Sequence, residues 1–227
     1  MSDHSSLHLL IGGEKLSGGS RETQDVIDPA TAEVLGSLPH ASAEDLDTAL
    51  ANADKGFHAW RKESADKRAA ALNKAASLIR ERAKDIGMLL TREQGKPIKE
   101  AVGEVIYCAM LFEFYAGEAK RTYGRSLVRP EGQSARVIYV PVGPVAGFAA
   151  WNFPAINVAR KIGGAIAAGC SVIVKPSEET PAAGLALVQC LLDGGVPGDV
   201  CQVVFGVPDE VSRHLLGSPI IRKGTFT

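Results

Sequence analysis

The strongest constraint on what this chain can fold into is an alternation in residues 143–227. Apolar runs at 145–149, 171–174, 200–204 and 220–226 are separated by helical stretches at about 155–167, 180–193 and 208–216. Strand, helix and strand at this spacing predict right-handed βαβ units, and therefore a parallel sheet. The runs are apolar throughout rather than alternating, as expected of strands covered on both faces. The predicted class is α/β with a Rossmann-like parallel sheet. Two polar breaks interrupt the pattern where a strand meets a helix. One is Trp151-Asn152-Phe153-Pro154 and the other is Lys175-Pro176-Ser177-Glu178.

The preceding residues read as separate blocks. "LHLLIGGEKL" predicts a hairpin broken at Gly12-Gly13, and "VIDPATAEVLGSLP" an Asp28-Pro29 turn between extended pieces; both read as edge strands or a wrapping arm. Ser42 with Asp45 predicts a helix start. From Ser64 the apolar positions Leu72, Ala76, Ile79, Ala83 and Ile86 predict one continuous helix face. A long helix is predicted over about 97–121, its stripe of Ile98, Val102, Val105, Ala109, Phe112 and Ala116 packed on the sheet. Residues 122–141 read as two strands around Pro130-Glu131-Gly132-Gln133. "RKGTFT" closes the sequence inside or just after a strand, which suggests a truncated product.

Composition narrows the function. The 227 residues are 45% apolar with net charge −1, so no global field draws the chain to nucleic acid or anionic membrane. No apolar stretch approaches the roughly 20 residues of a membrane span. The N-terminus has no basic-then-apolar pattern of a secretory signal. The four cysteines, Cys108, Cys170, Cys190 and Cys201, form no CxxC pair and read as reduced thiols of a cytoplasmic protein, with no metal site.

In a doubly wound sheet, ligands sit at the carboxyl ends of the strands, where both breaks lie. The GxGxxG fingerprint is absent, since "IGGAIAAG" has other spacing and falls inside a helix. Lys175 and Glu178 lie at the end of the second strand, where a dinucleotide fold places its ribose-binding residue, but a solvated pair at a helix start fits the position equally well. Asn152 brings an amide donor that can stabilise a developing oxyanion. Taken alone, it fits better as a helix cap with Pro154 near the first helical position.

Together the motifs say more. "AAWNFPAINVARKIGGAIAAGCSVIVKPSEETP" resembles the aldehyde dehydrogenase superfamily over its cofactor-domain signature. "VIDPATAEVLGSLP", "REQGKPIKEA", "FEFYAGEAKRTYG", "VPVGPVAGFAAWNFP", "GVPGDVCQVVFG" and the terminal "RKGTFT" extend the match along the chain. The resemblance implies a nucleotide-binding domain in two stretches, 1–121 and 142–227, with a β-hairpin oligomerisation arm at 122–141. It implies NAD as cofactor, with NADP possible, held by Ala150, Trp151, Asn152, Lys175, Pro176, Ser177, Glu178, Gly206, Phe226 and Thr227. Asn152 also takes the catalytic role of oxyanion donor. Arg160 in "NVARKIGGA" is similar to the arginine of succinate-semialdehyde dehydrogenases, which holds the substrate carboxylate; a solvated helix arginine beside Lys161 is the alternative. The implied activity is NAD(P)-dependent oxidation of succinate semialdehyde or a similar carboxylated semialdehyde, by a homo-oligomer, dimer or tetramer. The family's nucleophilic cysteine and its glutamate base fall beyond residue 227, so the chain as given is expected to be inactive. The competing reading is a non-catalytic nucleotide-binding or assembly fragment.

Overall fold

The computed structural model describes residues 4–227. Along the chain run β1 (Leu9–Ile11), β2 (Glu14–Leu16), β3 (Thr23–Ile27), β4 (Val34–Pro39), α1 (Ala43–Trp60), α2 (Ala65–Glu81), α3 (Ala83–Gln94) and α4 (Ile98–Ala119). Then follow β5 (Arg125–Leu127), β6 (Ala135–Val137), β7 (Val145–Phe148), α5 (Pro154–Ala168), β8 (Val172–Lys175), α6 (Pro181–Asp193), β9 (Cys201–Val203), α7 (Pro208–Gly217) and β10 (Lys223–Phe226).

The central sheet has six strands in the order β10-β7-β8-β9-β1-β2. The first four are parallel; β7, β8 and β9 are mainly apolar and buried, as strands covered on both faces must be, whereas β10 at the sheet edge reads Lys-Gly-Thr-Phe and is largely exposed. The hairpin β1–β2 adds two antiparallel strands at the far edge, with Leu10 opposite Val203. Gly12 and Gly13 turn it at φ of 62° and 90°, values a side chain disfavours. The N-terminal hairpin is thus an edge of the main sheet and not a wrapping arm. The strands β3–β4 and β5–β6 form separate two-stranded sheets.

Chain order fixes where a ligand can sit. From β7 the chain steps to β8 and β9 in one direction, then returns to place β10 on the other side of β7. Right-handed crossovers in opposite directions put their helices on opposite faces. The helices α5 and α6 pack together against β7, β8 and β9, while α7 packs beside α1. The gap between the carboxyl ends of β7 and β10 is therefore the topological switch point.

Helix starts follow the sequence closely. Ser42 and Asp45 form a reciprocal capping box on α1, and Ser64 caps α2. Two expectations need correction. The helix from Ser64 is not continuous: Arg82, at φ −95° and ψ 5°, separates α2 from α3 and bonds Asp193 on α6 at 2.6 Å. The stripe on α4 does not pack on the sheet; α4 lies chiefly against α2, α3 and α5, a second helical layer. Apolar spacing marks a buried face but does not say what buries it.

Candidate functional site

Strand ends assemble the site. Parallel register places Phe226 beside Phe148 and Phe148 beside Lys175. The two phenyl rings stack, centroids 4.7 Å apart and planes 13° from parallel. Past these ends opens a crevice of about 360 Å³ at the switch point. Of the positions singled out in the sequence, it brings together Ala150, Trp151, Lys175, Ser177, Glu178, Phe226 and Thr227. Gly206 joins through a hydrogen bond and Asn152 stands next to Trp151, just outside the lining. Pro176 is buried against the first turns of α6, near Gly184. Arg160 lies exposed on α5, lines no part of the crevice, and has no hydrogen bond or ion pair among the described residues. A larger cavity of about 620 Å³ lies elsewhere, between the N-terminal segment, α3 and α6, and none of these positions lines it.

At one end of the crevice Lys175 and Glu178 form an ion pair at 2.5 Å, both side chains nearly buried. The same Glu178 Oε1 accepts from the Gly206 amide at 3.2 Å, and Lys175 Nζ reaches Pro176 O at 3.5 Å. Glu178 Oε2 accepts nothing among the described residues. The couple is a fixed, half-satisfied donor–acceptor unit, not the solvated pair that the sequence equally allowed. It can give one hydrogen bond and accept another from vicinal hydroxyls.

At the other end, Asn152 leads into α5. It does not cap that helix: Phe153 occupies the cap position and no side chain of the turn bonds the helix amides. Glu104 of α4 does so instead, its Oε1 accepting from Ala155 N at 3.0 Å and Ile156 N at 3.1 Å. Its other oxygen binds Lys96, whose ammonium lies 4.7 Å from the Phe153 ring centre. The helix α6 repeats the device. Glu93 of α3 accepts from Ala182 N at 2.7 Å and Ala183 N at 2.9 Å, and contacts His4 at 3.3 Å. A helix start is a ready anion site. Here both helices that follow β7 and β8 have theirs filled by buried carboxylates. A phosphate cannot lodge there, which is the physical counterpart of the missing GxGxxG.

Sequence reasoning missed two residues. The sequence marks Lys161 only as a neighbour of Arg160, yet it is buried and its ammonium bonds Thr227 Oγ1. Its stem crosses β7 at Gly147, where an added Cβ would lie 3.3 Å from Lys161 Cβ. Burial, then the nearby Arg160 charge, lowers its pKa to about 8. Asn157 is also buried. Both fall on the apolar face shared by Val158, Ile162 and Ala165, and a polar residue within such a stripe is the signal that was available.

Residues 16–227 match the aldehyde dehydrogenase family. The chain belongs to that family. It is 47% identical over 220 residues to the 4-(hydroxymethyl)benzenesulfonate dehydrogenase of Comamonas testosteroni, a match covering 96% of this chain and 46% of that protein. It is 40% identical to the NADP(+) succinate-semialdehyde dehydrogenase of Escherichia coli, covering 96% and 45%. The crystal structure of succinate-semialdehyde dehydrogenase from Burkholderia pseudomallei superposes with a TM-score of 0.94 at 40% identity, covering 97% of this chain and 46% of that one. This aldehyde dehydrogenase chain thus spans just under half the length of the relatives it matches. None of its helices among the described residues is long and apolar enough to cross a membrane. All four of its cysteines are buried. Burial pushes the Cys108 thiol well up and the Cys190 thiol to about 11, and it raises Cys201 further. A protonated, buried thiol is a poor nucleophile.

Proposed function

We propose that this chain forms the cofactor-binding part of an NAD(P)-dependent aldehyde dehydrogenase, acting on an aldehyde that carries an anionic group. The observation that carries the reading is the crevice at the switch point. It has a lysine–glutamate couple at and just past the end of β8 at one end and Trp151 of the turn after β7 at the other, with Asn152 next to Trp151 just outside the lining. The residues suit a dinucleotide. Lys175 and Glu178 would hold ribose hydroxyls, and Trp151, Phe226 and Thr227 would line the space between. Bound NAD(P)⁺ would supply a hydride acceptor. Asn152 would donate to the carbonyl oxygen of the aldehyde as charge develops on it. The buried carboxylate of Glu178 would repel a ribose 2′-phosphate, so NAD is the preferred cofactor.

Arg160 would take the anionic end of the substrate. It is exposed and unpaired on the helix that starts at the Asn152 turn, and a guanidinium grips a planar or tetrahedral oxyanion group through parallel hydrogen bonds. Succinate semialdehyde offers a carboxylate there. One relative is named for a benzenesulfonate and another for succinate semialdehyde, which supports an anionic tail of either kind. The hairpin β5–β6, with Val128, Ile138 and Tyr139 exposed, would be a contact between copies of the chain.

Calorimetric titration with NAD⁺ and NADP⁺ tests the cofactor reading. The chain should bind NAD⁺ more tightly, and Lys175→Ala should weaken binding about tenfold, the value of one hydrogen bond from a charged group. No binding of either dinucleotide by the folded chain would refute the reading. With every thiol buried, the chain alone should form no NADH from succinate semialdehyde.

A further inference from the structure

Asn157 lies one turn into α5, and the Asn152 turn folds back over it. Its Nδ2 donates to two acceptors, Ala150 O at 3.3 Å and Asn152 Oδ1 at 3.2 Å. It is 4% exposed. Oxygen and nitrogen of an asparagine amide look alike, so their assignment rests on the hydrogen-bond network. Here the network decides it. Ala150 O is a backbone carbonyl and only accepts, so the Asn157 atom facing it must be the NH₂ group. That NH₂ group also faces the Asn152 side chain, which must therefore present its oxygen. The Asn152 NH₂ group is then turned the other way, out of the contact. Asn152 is itself exposed, so nothing else in its surroundings fixes the choice.

We propose that Asn157 is the positioning residue that sets the orientation of the Asn152 amide and keeps its NH₂ group free as a donor. The chain of dependence runs from backbone carbonyl to buried amide to exposed amide. Its functional meaning rests on the reading of Asn152 as a carbonyl-oxygen donor, but the orientation itself does not. An Asn152 free to rotate would present an oxygen to the developing oxyanion part of the time, and a repelling group there is worse than none.

The test uses side-chain amide exchange in the chain labelled with ¹⁵N-asparagine. There are four asparagines, Asn52, Asn73, Asn152 and Asn157, so the signals are few and Asn152→Asp assigns one pair. In the wild type the Asn157 NH₂ protons should be protected and the Asn152 NH₂ protons should exchange at the solvent rate. The variant Asn157→Asp puts an acceptor opposite Asn152, which should flip the amide. Protection should then appear on Asn152, by about tenfold for one hydrogen bond. Protected Asn152 protons in the wild type would overturn the proposal, as would unchanged Asn152 exchange in a folded Asn157→Asp chain. If that variant does not fold, the wild-type pattern alone decides. No aldehyde or cofactor enters the measurement, so loss of the oxyanion reading would leave this result standing, and the reverse.

Discussion

Replacing Glu104 with alanine should cost this fold about 4.5 kcal/mol, and the figure can be built from the contacts. The helix α5 has no cap of its own, so its first amides depend on Glu104. A buried donor left without a partner costs about 1–3 kcal/mol. Ala155 is fully buried and belongs at the upper end; Ile156 is only half-buried, recovers water and belongs at the lower. The lost carboxylate at a helix start adds about 0.5 kcal/mol. Lys96 loses its anion but its side chain reaches solvent, so its release adds little on this scale. Glu104→Gln keeps an oxygen for both amides and loses only the charge. Since charge-assisted bonds are about twice as strong as neutral ones, it should cost about 1 kcal/mol.

Urea denaturation reads the difference, since a change in midpoint at constant slope reports stability alone. Hydrogen exchange locates it: Ala155 and Ile156 amides should open first in the alanine variant. An alanine variant within about 1 kcal/mol of wild type would refute the reasoning, because two buried amides cannot be abandoned so cheaply. Equal losses for alanine and glutamine would also refute it, since the ion pair with Lys96, not the amides, would then be the source.

Three further outcomes follow from the site. The Lys161 amine, at about 8 against an ordinary 10.5, binds fewer protons in the folded chain than in the unfolded chain between those pH values. Wild-type stability should therefore rise with pH through that window relative to Lys161→Met, and denaturation at pH 7 and pH 10 measures it. Thiol titration with Ellman's reagent should find none of the four cysteines in the native chain and all four in denaturant. Glu178→Ser should narrow the gap between NAD⁺ and NADP⁺ in calorimetry by about tenfold or more, through removal of the carboxylate that faces a 2′-phosphate and of its bond to the 2′-hydroxyl.

The fold was legible where backbone chemistry is local. The strands β7, β8 and β9, the Gly12-Gly13 turn and the Ser42 and Ser64 caps are decided by neighbours in sequence and appear within a residue or two of expectation, whereas β10 starts three residues late, at Lys223, and is polar and exposed. Failures occurred where the deciding partner is distant. Nothing near Arg82 marks a helix break, because what holds that side chain is Asp193 on α6. Nothing in the α4 stripe says that helices rather than the sheet cover it. The site divides the same way. Lys175 and Glu178 are three residues apart and visible as a couple; Gly206 is implied as a site position by the resemblance, but its bond to Glu178, made from the next strand's loop, is not.

Glu93 and Glu104 show how more could have been read. Each is an acid inside an apolar helical stripe, Glu93 beside Leu89 and Leu90, and Glu104 between Ala101 and Cys108. A buried carboxylate needs donors, and a chain with so few buried cations must find them in backbone amides. A helix start offers several unpaired backbone amides close together, so it suits a carboxylate with two oxygens to satisfy. Both Pro154 and Pro181 open helices whose own turns supply no cap, so the two orphaned acids and the two uncapped helices call for each other. That pairing in turn removes the helix starts after β7 and β8 as phosphate sites. On the proposed reading, a dinucleotide at this switch point would be held away from those two helix starts, at Lys175 and Glu178 and along the strand ends where Phe148 and Phe226 stack.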